Sequence, residues 1–220
     1  MKLTVLHHNV RNWTNNTNIN ISSNYYLQNS PDIITLNSHS ITEQGKNIKL
    51  FNYTGYTKNR TQHAGVAILV KSGIPHTFHT KTTNQNIMAV TISTNKGQVT
   101  IVTFYRAPRD DFLPLSDLQT FLNFGNPTLI TTDANIKHTI FDHSKTDKLG
   151  KLLFQFCQYK DLYYMGPSFH TYYSGTHKGK PDILLCNKSF LLLAHKIEEG
   201  KRLISSDHIQ YTVHFLQIQF

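Results

Sequence analysis

The sequence ISSDH, Ile204–His208, stands directly before Ile209–Phe215, a run in which apolar and polar residues alternate. Alternation with a period of two is typical of a half-buried β-strand. Asp207 and His208 are therefore expected at the mouth of a strand, where both side chains can enter one pocket. An Asp-His pair alone is weak evidence, because an ordinary surface turn can have the same sequence. The other strands of the chain decide whether further polar side chains join this pair.

Length and charge limit the function classes. The chain has 220 residues, which suits one domain, 1–220, with a sizeable core. Its 22 Lys and Arg residues exceed its 13 Asp and Glu residues, and the formal net charge of +9 favours a polyanionic partner, nucleic acid first. No segment has the apolar run of a membrane span or the two faces of a basic amphipathic helix, so we expect no membrane binding.

The cysteine content also limits the class of protein. Cys157 and Cys186 are the two cysteines of the chain, too few for a disulfide scaffold and without the short paired spacing of a zinc site. We expect ordinary buried thiols in a reducing compartment.

Polar residues follow the predicted strands at the points where the strands end. The predicted strands are Leu3–Leu6, Asp32–Leu36, Tyr53–Tyr56, Gly65–Val70, Ile87–Ser93, Val99–Tyr105, Thr128–Thr132, Pro181–Leu185 and Ile209–Phe215. The polar residues at five strand ends are Asn9, the cluster 37–40, Tyr105, Asp133 with Asn135, and Asp207 with His208, and Asp182 opens a sixth strand. The predicted helices are Tyr25–Gln28, Asp111–Phe124 and Thr146–Tyr159, the last with Leu149, Leu152, Leu153, Phe156 and Cys157 facing inward. This pattern indicates an α/β fold whose site lies at one rim.

Carboxylates, amides, a histidine and a tyrosine are the side-chain types that phosphodiester cleavage needs. Carboxylate and amide oxygens hold a divalent metal, a carboxylate orients the attacking water, and hydrogen-bond donors stabilise the charge that develops on the phosphate. The convergence of these types at strand ends is therefore more specific for this chemistry than any single motif.

The motifs follow one another in the order of a known family. They are Asn9, Pro31 to Ile34, Tyr105 to Pro108, Thr132 to Asn135 followed by His138, Pro181 to Leu184, and Ser206 to His208. Over nearly its whole length the chain resembles the apurinic-endonuclease-like endonuclease domain of non-LTR (LINE-type) retrotransposons, in the exonuclease–endonuclease–phosphatase (DNase I-like) superfamily. The resemblance implies a four-layered α/β sandwich, in which helices flank two packed mixed β-sheets. It also implies that the domain is the N-terminal part of a longer reverse-transcriptase polyprotein.

The resemblance implies a role for each motif residue. The implied reaction is in-line attack of an activated water on a DNA backbone phosphate, leaving a 3′-hydroxyl. His208, paired with Asp182, would be a general base or a donor to the scissile phosphate. Asp133 would orient the attacking water, while Asn135 and Tyr105 would donate hydrogen bonds to phosphate oxygens.

The implied metal site departs from the family pattern. Asn9 and Asp207 would bind the metal, Mg²⁺ or Mn²⁺, that stabilises the leaving oxygen. Where the family usually has Leu-Gln-Glu with the Glu on the metal, this chain has Leu-Asn-Ser, ending at Ser38. Because Mg²⁺ sites in proteins depend on one or two carboxylates, the metal affinity should fall. Ser38 could bond one of the metal-bound waters, or Glu43 could reach back from the following loop.

Basic and aromatic residues near the strand ends are expected to bind DNA. Tyr172, Tyr173, His177, Lys178 and Lys180 resemble the family's DNA-contacting hairpin, in which lysines neutralise phosphates and aromatic rings stack or act as wedges. A solvated loop is the alternative interpretation. Other candidates beside the strand mouths are Arg11, Lys58, Arg60, Arg106, Arg109, Lys137 and His138. A scattered basic surface would have the same sequence features.

Three functions remain open at this point. The first is a metal-dependent endonuclease that nicks one strand of double-stranded target DNA in the nucleus. Its 3′-hydroxyl product would prime the reverse-transcriptase domain of the same polyprotein, and the isolated domain should be a monomer. The second is a DNA-binding domain whose catalysis is weakened or lost because Ser38 replaces the usual Glu. The third is a phosphatase of inositol or sphingolipid phosphates, which the net charge of +9 disfavours.

Overall fold

Two mixed β-sheets form the centre of the computed structural model, which describes residues 3–42, 46–58, 64–84, 86–193 and 195–215. The first sheet contains β1 (Leu3–Asn9), β2 (Ile33–Asn37), β3 (Tyr53–Lys58), β4 (Val66–Lys71), β13 (His195–Arg202) and β14 (Ile209–Phe215). The second contains β5 (His76–His79), β6 (Ile87–Thr94), β7 (Gly97–Tyr105), β8 (Thr128–Asp133), β9 (Leu162–Gly166) and β12 (Asp182–Asn187). Their strand orders are β13-β14-β1-β2-β4-β3 and β5-β6-β7-β8-β12-β9. A separate hairpin is formed by β10 (Tyr172–Ser174) and β11 (His177–Gly179).

Aliphatic residues line the faces on which the two sheets meet. Leu3, Val5 and Ile68 of the first sheet and Val90 and Ile101 of the second are fully buried in one continuous cluster. Successive strand residues point to opposite faces of a sheet, so the intervening apolar residues face the helices instead. Removal of this apolar surface from water is the main force that holds the two sheets together.

Helices cover both outer faces and complete four layers. α1 (Asn16–Asn29) packs Tyr26 against the first sheet. α2 (Leu115–Leu122) and α3 (Lys148–Tyr159) pack Phe121 and Leu153 against the second sheet. A 3₁₀ turn (Thr139–Phe141) and the short α4 (Lys188–Leu191) are also present. The predicted α/β sandwich of four layers is confirmed.

The strand directions bring the predicted site residues to one rim. β1 runs parallel to β2, which places Asn9 beside Asn37, and β7 runs parallel to β8, which places Tyr105 beside Asp133. β12 runs antiparallel to β8, so that its first residue, Asp182, is the register partner of Asp133. Between the sheets, the Asn37 side-chain oxygen accepts a hydrogen bond from the Asp133 N–H (2.8 Å). The ends of five strands are thereby fixed around one point.

The first helix is longer than the sequence pattern indicates. The pattern predicts a short helix over Tyr25–Gln28 after a polar loop, whereas α1 begins at Asn16. Asn, Ser and Thr are poor helix formers because their side chains compete for backbone hydrogen bonds. Asn15 uses this property as the N-cap and accepts from two backbone N–H groups of the first turn. Burial of Tyr26 against the first sheet then stabilises a helix that its own composition would not.

The remaining differences concern edges and helix ends. β5, β9 and β13 are not indicated by the sequence, and β13 in particular is a polar, half-exposed edge strand. α2 begins at Leu115 rather than Asp111, directly after Pro114. The inward orientation predicted for Leu152 is wrong, because this side chain is 41% exposed. The buried face of α3 is formed by Gly150, Leu153 and Cys157.

Both cysteines are free and buried, as predicted. Burial raises the pKa of the Cys157 and Cys186 thiols to about 12, so neither is a reactive thiolate near neutral pH. Among the described residues, no helix has both the length and the apolar character required to span a bilayer.

Candidate active site

Three buried side chains, Asp133, Asp182 and His208, form the centre of the site, and we call them the Asp-His-Asp group. His208 Nδ1 lies 2.8 Å from Asp182 Oδ2, and His208 Nε2 lies 3.9 Å from Asp133 Oδ2. Each of the three residues is less than a tenth exposed. One carboxylate thus fixes the orientation of the imidazole, and the other nitrogen of the ring faces the second carboxylate.

The local sequence explains how this geometry is held. Asp133 ends β8 and Asp182 begins β12, and the two are opposed in the antiparallel ladder. His208 is positioned by Ser206, whose Oγ accepts from the His208 N–H (3.0 Å) and donates to the backbone oxygen of Asn9 (2.6 Å). The serine of the Ser-Asp-His motif therefore fastens the turn before β14 to the end of β1.

Burial and mutual charge set the protonation of the group. Burial and then the charge of Asp182 raise the pKa of Asp133 above its ordinary range. Burial alone would raise the pKa of Asp182, but the charge and hydrogen bond of His208 hold it well below its ordinary value. Burial alone would lower the pKa of His208, but Asp182 and Asp133 outweigh it and raise the pKa to about 9. At neutral pH the group therefore contains a protonated imidazole against an ionised Asp182.

Neutral side chains complete the surroundings of Asp133. The Asn9 amide donates to Asp133 Oδ2, and the Asn135 N–H donates to Asp133 Oδ1 (3.2 Å). Burial and then the charge of Asp133 raise the pKa of the Tyr105 phenol to about 12, and a hydrogen bond from Ser38 opposes the shift. Tyr105 consequently keeps its proton and can donate it in a hydrogen bond. Ser38 is buried and bonds a neighbouring phenol, in the place where the family has a carboxylate.

The two predicted metal ligands lie at the outer edge of the group. Asn9 Oδ1 accepts a hydrogen bond from the Arg11 N–H (2.9 Å), and Asp207 Oδ2 forms an ion pair with Arg11 Nη1 (2.7 Å). An amide oxygen and a carboxylate are the donor types that Mg²⁺ takes together with water, so the chemistry of the pair fits a hydrated divalent ion. Asp133, Asp182 and His208 are also of metal-binding types, with ligand atoms within 4.8 Å of one another. The predicted alternative ligand, Glu43, lies outside the described residues.

A cleft of about 690 Å³ opens above the group. The predicted site residues that line this cleft are Asn9, Arg11, Ser38, Tyr105, Asp133, Asn135, Lys137, Tyr172, Lys178, Lys180, Asp207 and His208. Its rim is basic, and its floor contains Asp133 and His208, with Asp182 behind the imidazole. A polyanion that enters the cleft is attracted by the rim and meets the reactive groups at the floor.

The predicted DNA-contacting hairpin is joined directly to Asp207 and His208, in the turn before β14. Tyr172 forms a β-bridge with His208, and the two rings lie edge to face with centroids 5.2 Å apart. The Tyr173 N–H donates to the backbone oxygen of Asp207 (2.8 Å). The Lys178 ammonium lies 5.8 Å from the centroid of the Tyr173 ring. The hairpin is therefore a wall of the cleft built from two paired strands with exposed His177 and Lys178, and its contact with DNA stays a prediction.

Several predicted DNA contacts have partners within the protein. Arg106 donates to the backbone oxygens of Asp110 (2.8 Å) and Asn135 (2.6 Å). Lys180 bonds Asp142 and the Ser168 backbone oxygen. His138 caps the 3₁₀ turn and stacks on Phe154, and Lys58 bonds Thr82. Arg109 is exposed and does not line the cleft, while Arg60 lies outside the described residues. Arg106 and His138 thus have structural contacts, and their DNA contacts remain predictions.

Several neighbours of the site were not among the predicted residues, including His7, Arg202 and the cleft-lining His143 and Lys145. His7 Nε2 lies 3.4 Å from the second oxygen of Asp182, and its Nδ1 lies 2.9 Å from Thr35 Oγ1. Alternation along β1 places His7 on the same face as Asn9, so the spacing of these two residues in the sequence could have indicated that His7 lies beside the site. Arg202 lies 5.4 Å above the Tyr173 ring and extends the basic rim. It comes from β13, a strand that the sequence pattern does not reveal.

The motifs at this rim match a known family. A model of the family described as endonuclease-reverse transcriptase matches residues 99–212, slightly more than half of the chain. The chain belongs to the endonuclease-reverse transcriptase family. It is therefore a nuclease of the hydrolase class, as predicted. The matched part of this endonuclease contains Tyr105 and the whole Asp-His-Asp group, whereas Asn9 and Ser38 precede it.

Solved structures show the same fold over the full length of this endonuclease. The endonuclease domain of TRAS1, a telomere-specific non-LTR retrotransposon, superposes with a TM-score of 0.81 at 18% identity, covering 98% of this chain and 99% of that one. The 3′ phosphatase NExo from Neisseria, solved with a product DNA hairpin, has a TM-score of 0.74 at 15% identity, covering 97% and 99%. The AP endonuclease LMAP from Leishmania major has a TM-score of 0.73 at 9% identity, covering 97% and 87%. No relative among curated proteins matches the chain.

Proposed function

We propose that this endonuclease nicks one strand of double-stranded DNA in a metal-dependent reaction that leaves a 3′-hydroxyl. The observation that carries the proposal is the Asp-His-Asp group at the floor of a cleft with a basic rim. The group combines a protonated donor with a carboxylate of raised pKa. Hydrolysis of a phosphodiester needs both a donor to the phosphate and an acceptor for the proton of the attacking water.

In this mechanism the oxygen of a water forms a bond to phosphorus while the bond from phosphorus to the 3′ oxygen breaks. Asp133 orients the water and accepts its proton, which its raised pKa favours near neutral pH. His208, held by Asp182, donates a hydrogen bond to a non-bridging phosphate oxygen. Tyr105 donates a second one, because its phenol stays protonated. Solvent supplies the proton of the 3′-hydroxyl product.

Asn9 and Asp207, with Ser38 acting through a water, would hold Mg²⁺ or Mn²⁺ in this proposal. When bound, the metal supplies positive charge that stabilises the leaving oxygen. The side chains present support this assignment, since an amide oxygen and a carboxylate lie at the same edge of the cleft. They offer one carboxylate, fewer than the family pattern with its Glu, so a weakly bound, strongly hydrated ion is expected.

The cleft walls would hold the DNA. Lys137 and Lys178 are exposed at the rim and can neutralise backbone phosphates. Tyr172 and Tyr173 lie on the hairpin at the cleft edge, where aromatic rings can stack against or wedge between bases. The net charge of +9 supports a polyanionic substrate and disfavours the small inositol or lipid phosphates.

The family description supports a larger context. We infer that the 3′-hydroxyl primes synthesis by a reverse-transcriptase domain of the same polyprotein, of which residues 1–220 form a single, N-terminal domain. The nucleus is then the site of action, and the isolated domain acts as a monomer. A family described as endonuclease-reverse transcriptase is the support for this context.

The experiment is a plasmid assay. Purified chain is incubated with supercoiled plasmid and Mg²⁺ or Mn²⁺, and the nicked product is extended by a DNA polymerase without prior end treatment. Open circles that the polymerase extends support the proposal. Absence of nicking at every metal concentration, or nicks that cannot be extended, would refute it.

A second candidate is a DNA-binding domain with weakened catalysis. Two observations favour it: Ser38 bonds Tyr105 in place of a metal-binding carboxylate, and Arg11 already neutralises Asp207. In this case the wild-type chain shifts DNA in a gel but gives no nicks with either metal. Efficient nicking by the wild-type chain would eliminate this candidate.

A further inference from the structure

Arg11 contacts both residues of the predicted metal pair. Its backbone N–H donates to Asn9 Oδ1 (2.9 Å), and its guanidinium donates to Asp207 Oδ2 (2.7 Å). One oxygen of each predicted ligand is therefore engaged by the same cationic residue. A divalent ion that used these oxygens would meet a positive charge at the site.

We propose that Arg11 competes with the divalent metal for Asp207, so that an internal cation neutralises the site when the metal is absent. This inference rests on the proposed function, because it requires metal binding at Asp207. Asp207 is the single carboxylate in the predicted metal set of Asn9, Ser38 and Asp207. A dication and a guanidinium repel each other at short range, and one carboxylate cannot neutralise both. Metal binding should therefore displace the guanidinium.

The structure allows the guanidinium to leave while the backbone stays in place. Arg11 has a φ of 55°, and this turn directs its N–H at Asn9 two residues earlier, as short Asn-based turns do. The side chain beyond the turn is 67% exposed. It lines both the main cleft and a neighbouring cavity of about 310 Å³ formed with Asn18 and Ile204. A displaced guanidinium remains at the rim, where a DNA phosphate can bind it.

This arrangement couples the two ligands of the site. If the metal releases Arg11 and DNA captures it, each ligand increases the affinity of the other by the same factor, because binding linkage is reciprocal. Arg11 then suppresses metal binding in the free protein and favours it on DNA. The exposed pair with Asp207 is weak enough to be exchanged, since exposed ion pairs contribute little to stability.

The test is a titration of the full chain with Mn²⁺ at low ionic strength without DNA, with free Mn²⁺ followed by electron paramagnetic resonance. The variants are Arg11→Gln, Arg11→Lys and Asp207→Asn. Arg109→Gln is the matched control, because it removes the same charge from an exposed arginine outside the cleft lining. We expect Arg11→Gln to lower the Kd for Mn²⁺ about three- to tenfold. Arg11→Lys and Arg109→Gln should stay within about twofold of wild type, and Asp207→Asn should raise the Kd about 10- to 100-fold.

An unchanged or raised Kd in Arg11→Gln, or an equal decrease in Arg109→Gln or Arg11→Lys, would overturn the competition. So would Mn²⁺ binding that does not depend on Asp207. The plasmid assay separates the two proposals. If His208-dependent nicking persists while Arg11→Gln leaves the Kd unchanged, the competition alone is wrong.

Discussion

The Asp-His-Asp group and the Asn9–Asp207 pair share one cleft but are built in different ways. Asp133 and Asp182 are opposed residues of a buried antiparallel ladder, and His208 is locked between them. Asp207 is partly exposed and bound to the exposed side chain of Arg11. Backbone hydrogen bonds of the second sheet and of the turn before β14 fix the first region, whereas an exchangeable ion pair closes the second.

This difference assigns proton transfer and phosphate contact to one region and metal binding to the other. A buried group whose charges are matched by neighbours needs little reorganisation when substrate binds. A ligand pair with one carboxylate and a competing cation has a modest metal affinity that mutation can raise or lower. The family match, residues 99–212, also contains the whole buried group, whereas Asn9, Arg11 and Ser38 precede it. We therefore expect mutations in the buried group to lower the nicking rate, and mutations in the Asn9–Asp207 pair to raise the metal concentration that nicking requires.

The largest expected effect comes from removing His208 or Asp133. His208→Ala removes the donor to the phosphate, and Asp133→Ala removes the proton acceptor, so each should lower plasmid nicking about 10³-fold. His214→Ala is the matched control, because His214 lies on β14, the strand that follows His208, and pairs with Glu198 of the edge strand β13. Its nicking rate should equal that of wild type. Near-normal nicking by folded His208→Ala would remove the buried group from the mechanism.

The next effect concerns the partner of His208. Asp182→Asn removes the charge that raises the His208 pKa to about 9 and should slow nicking about 10²-fold. In wild type the imidazole is protonated below this pKa, and the rate should decline as the pH rises through it. In Asp182→Asn the decline should begin at lower pH, toward the ordinary value of 6.5. Nicking rates measured from pH 6 to 10 report this shift. If the rates of wild type and Asp182→Asn declined over the same pH range, the role of Asp182 would be contradicted.

A smaller effect is expected at the second region. Asp207→Asn keeps an oxygen ligand but removes the single carboxylate of the predicted metal set, so the metal concentration for half-maximal nicking should rise about 10- to 100-fold. The nicking rate at saturating metal should fall much less. A metal requirement identical to that of wild type would place the metal elsewhere.

The smallest expected effect is a gain in metal affinity. Ser38→Glu restores the carboxylate of the family pattern and should lower the Mn²⁺ concentration for half-maximal nicking about three- to tenfold. Ser38 already has a φ of 56°, so the substitution adds no new backbone requirement. Ser38→Gln is the matched control, with similar size and no charge. If Gln and Glu change the metal requirement equally, the missing charge does not explain the departure from the family.

The sequence pattern could predict an α/β fold with polar residues at one rim, and the family resemblance added the four layers and the roles of the buried group. Strand ends, alternation and motif order were sufficient for Asp133, Asp182 and His208, because strand geometry fixes where a terminal side chain lies. The length of α1 could not be predicted, since its polar residues are helical only through the N-cap at Asn15 and the burial of Tyr26. Tertiary contacts therefore determine the length of α1.

The partners of the charged side chains were the least predictable part of the site. Nothing in the sequence shows that Arg11 pairs with Asp207, 196 positions away. Arg106 and Lys180 were equally ambiguous, because a basic residue beside a strand mouth can bind either a phosphate or a neighbouring backbone oxygen. Long side chains choose among partners that only the folded chain brings together.

The most direct test of the two-region account is a Mn²⁺ titration of plasmid nicking by wild type, Asp207→Asn and His208→Ala side by side. The account predicts that Asp207→Asn approaches the wild-type rate at high Mn²⁺, whereas His208→Ala stays about 10³-fold slower at every concentration. Recovery of His208→Ala at high Mn²⁺, or an Asp207→Asn defect that Mn²⁺ does not change, would contradict it.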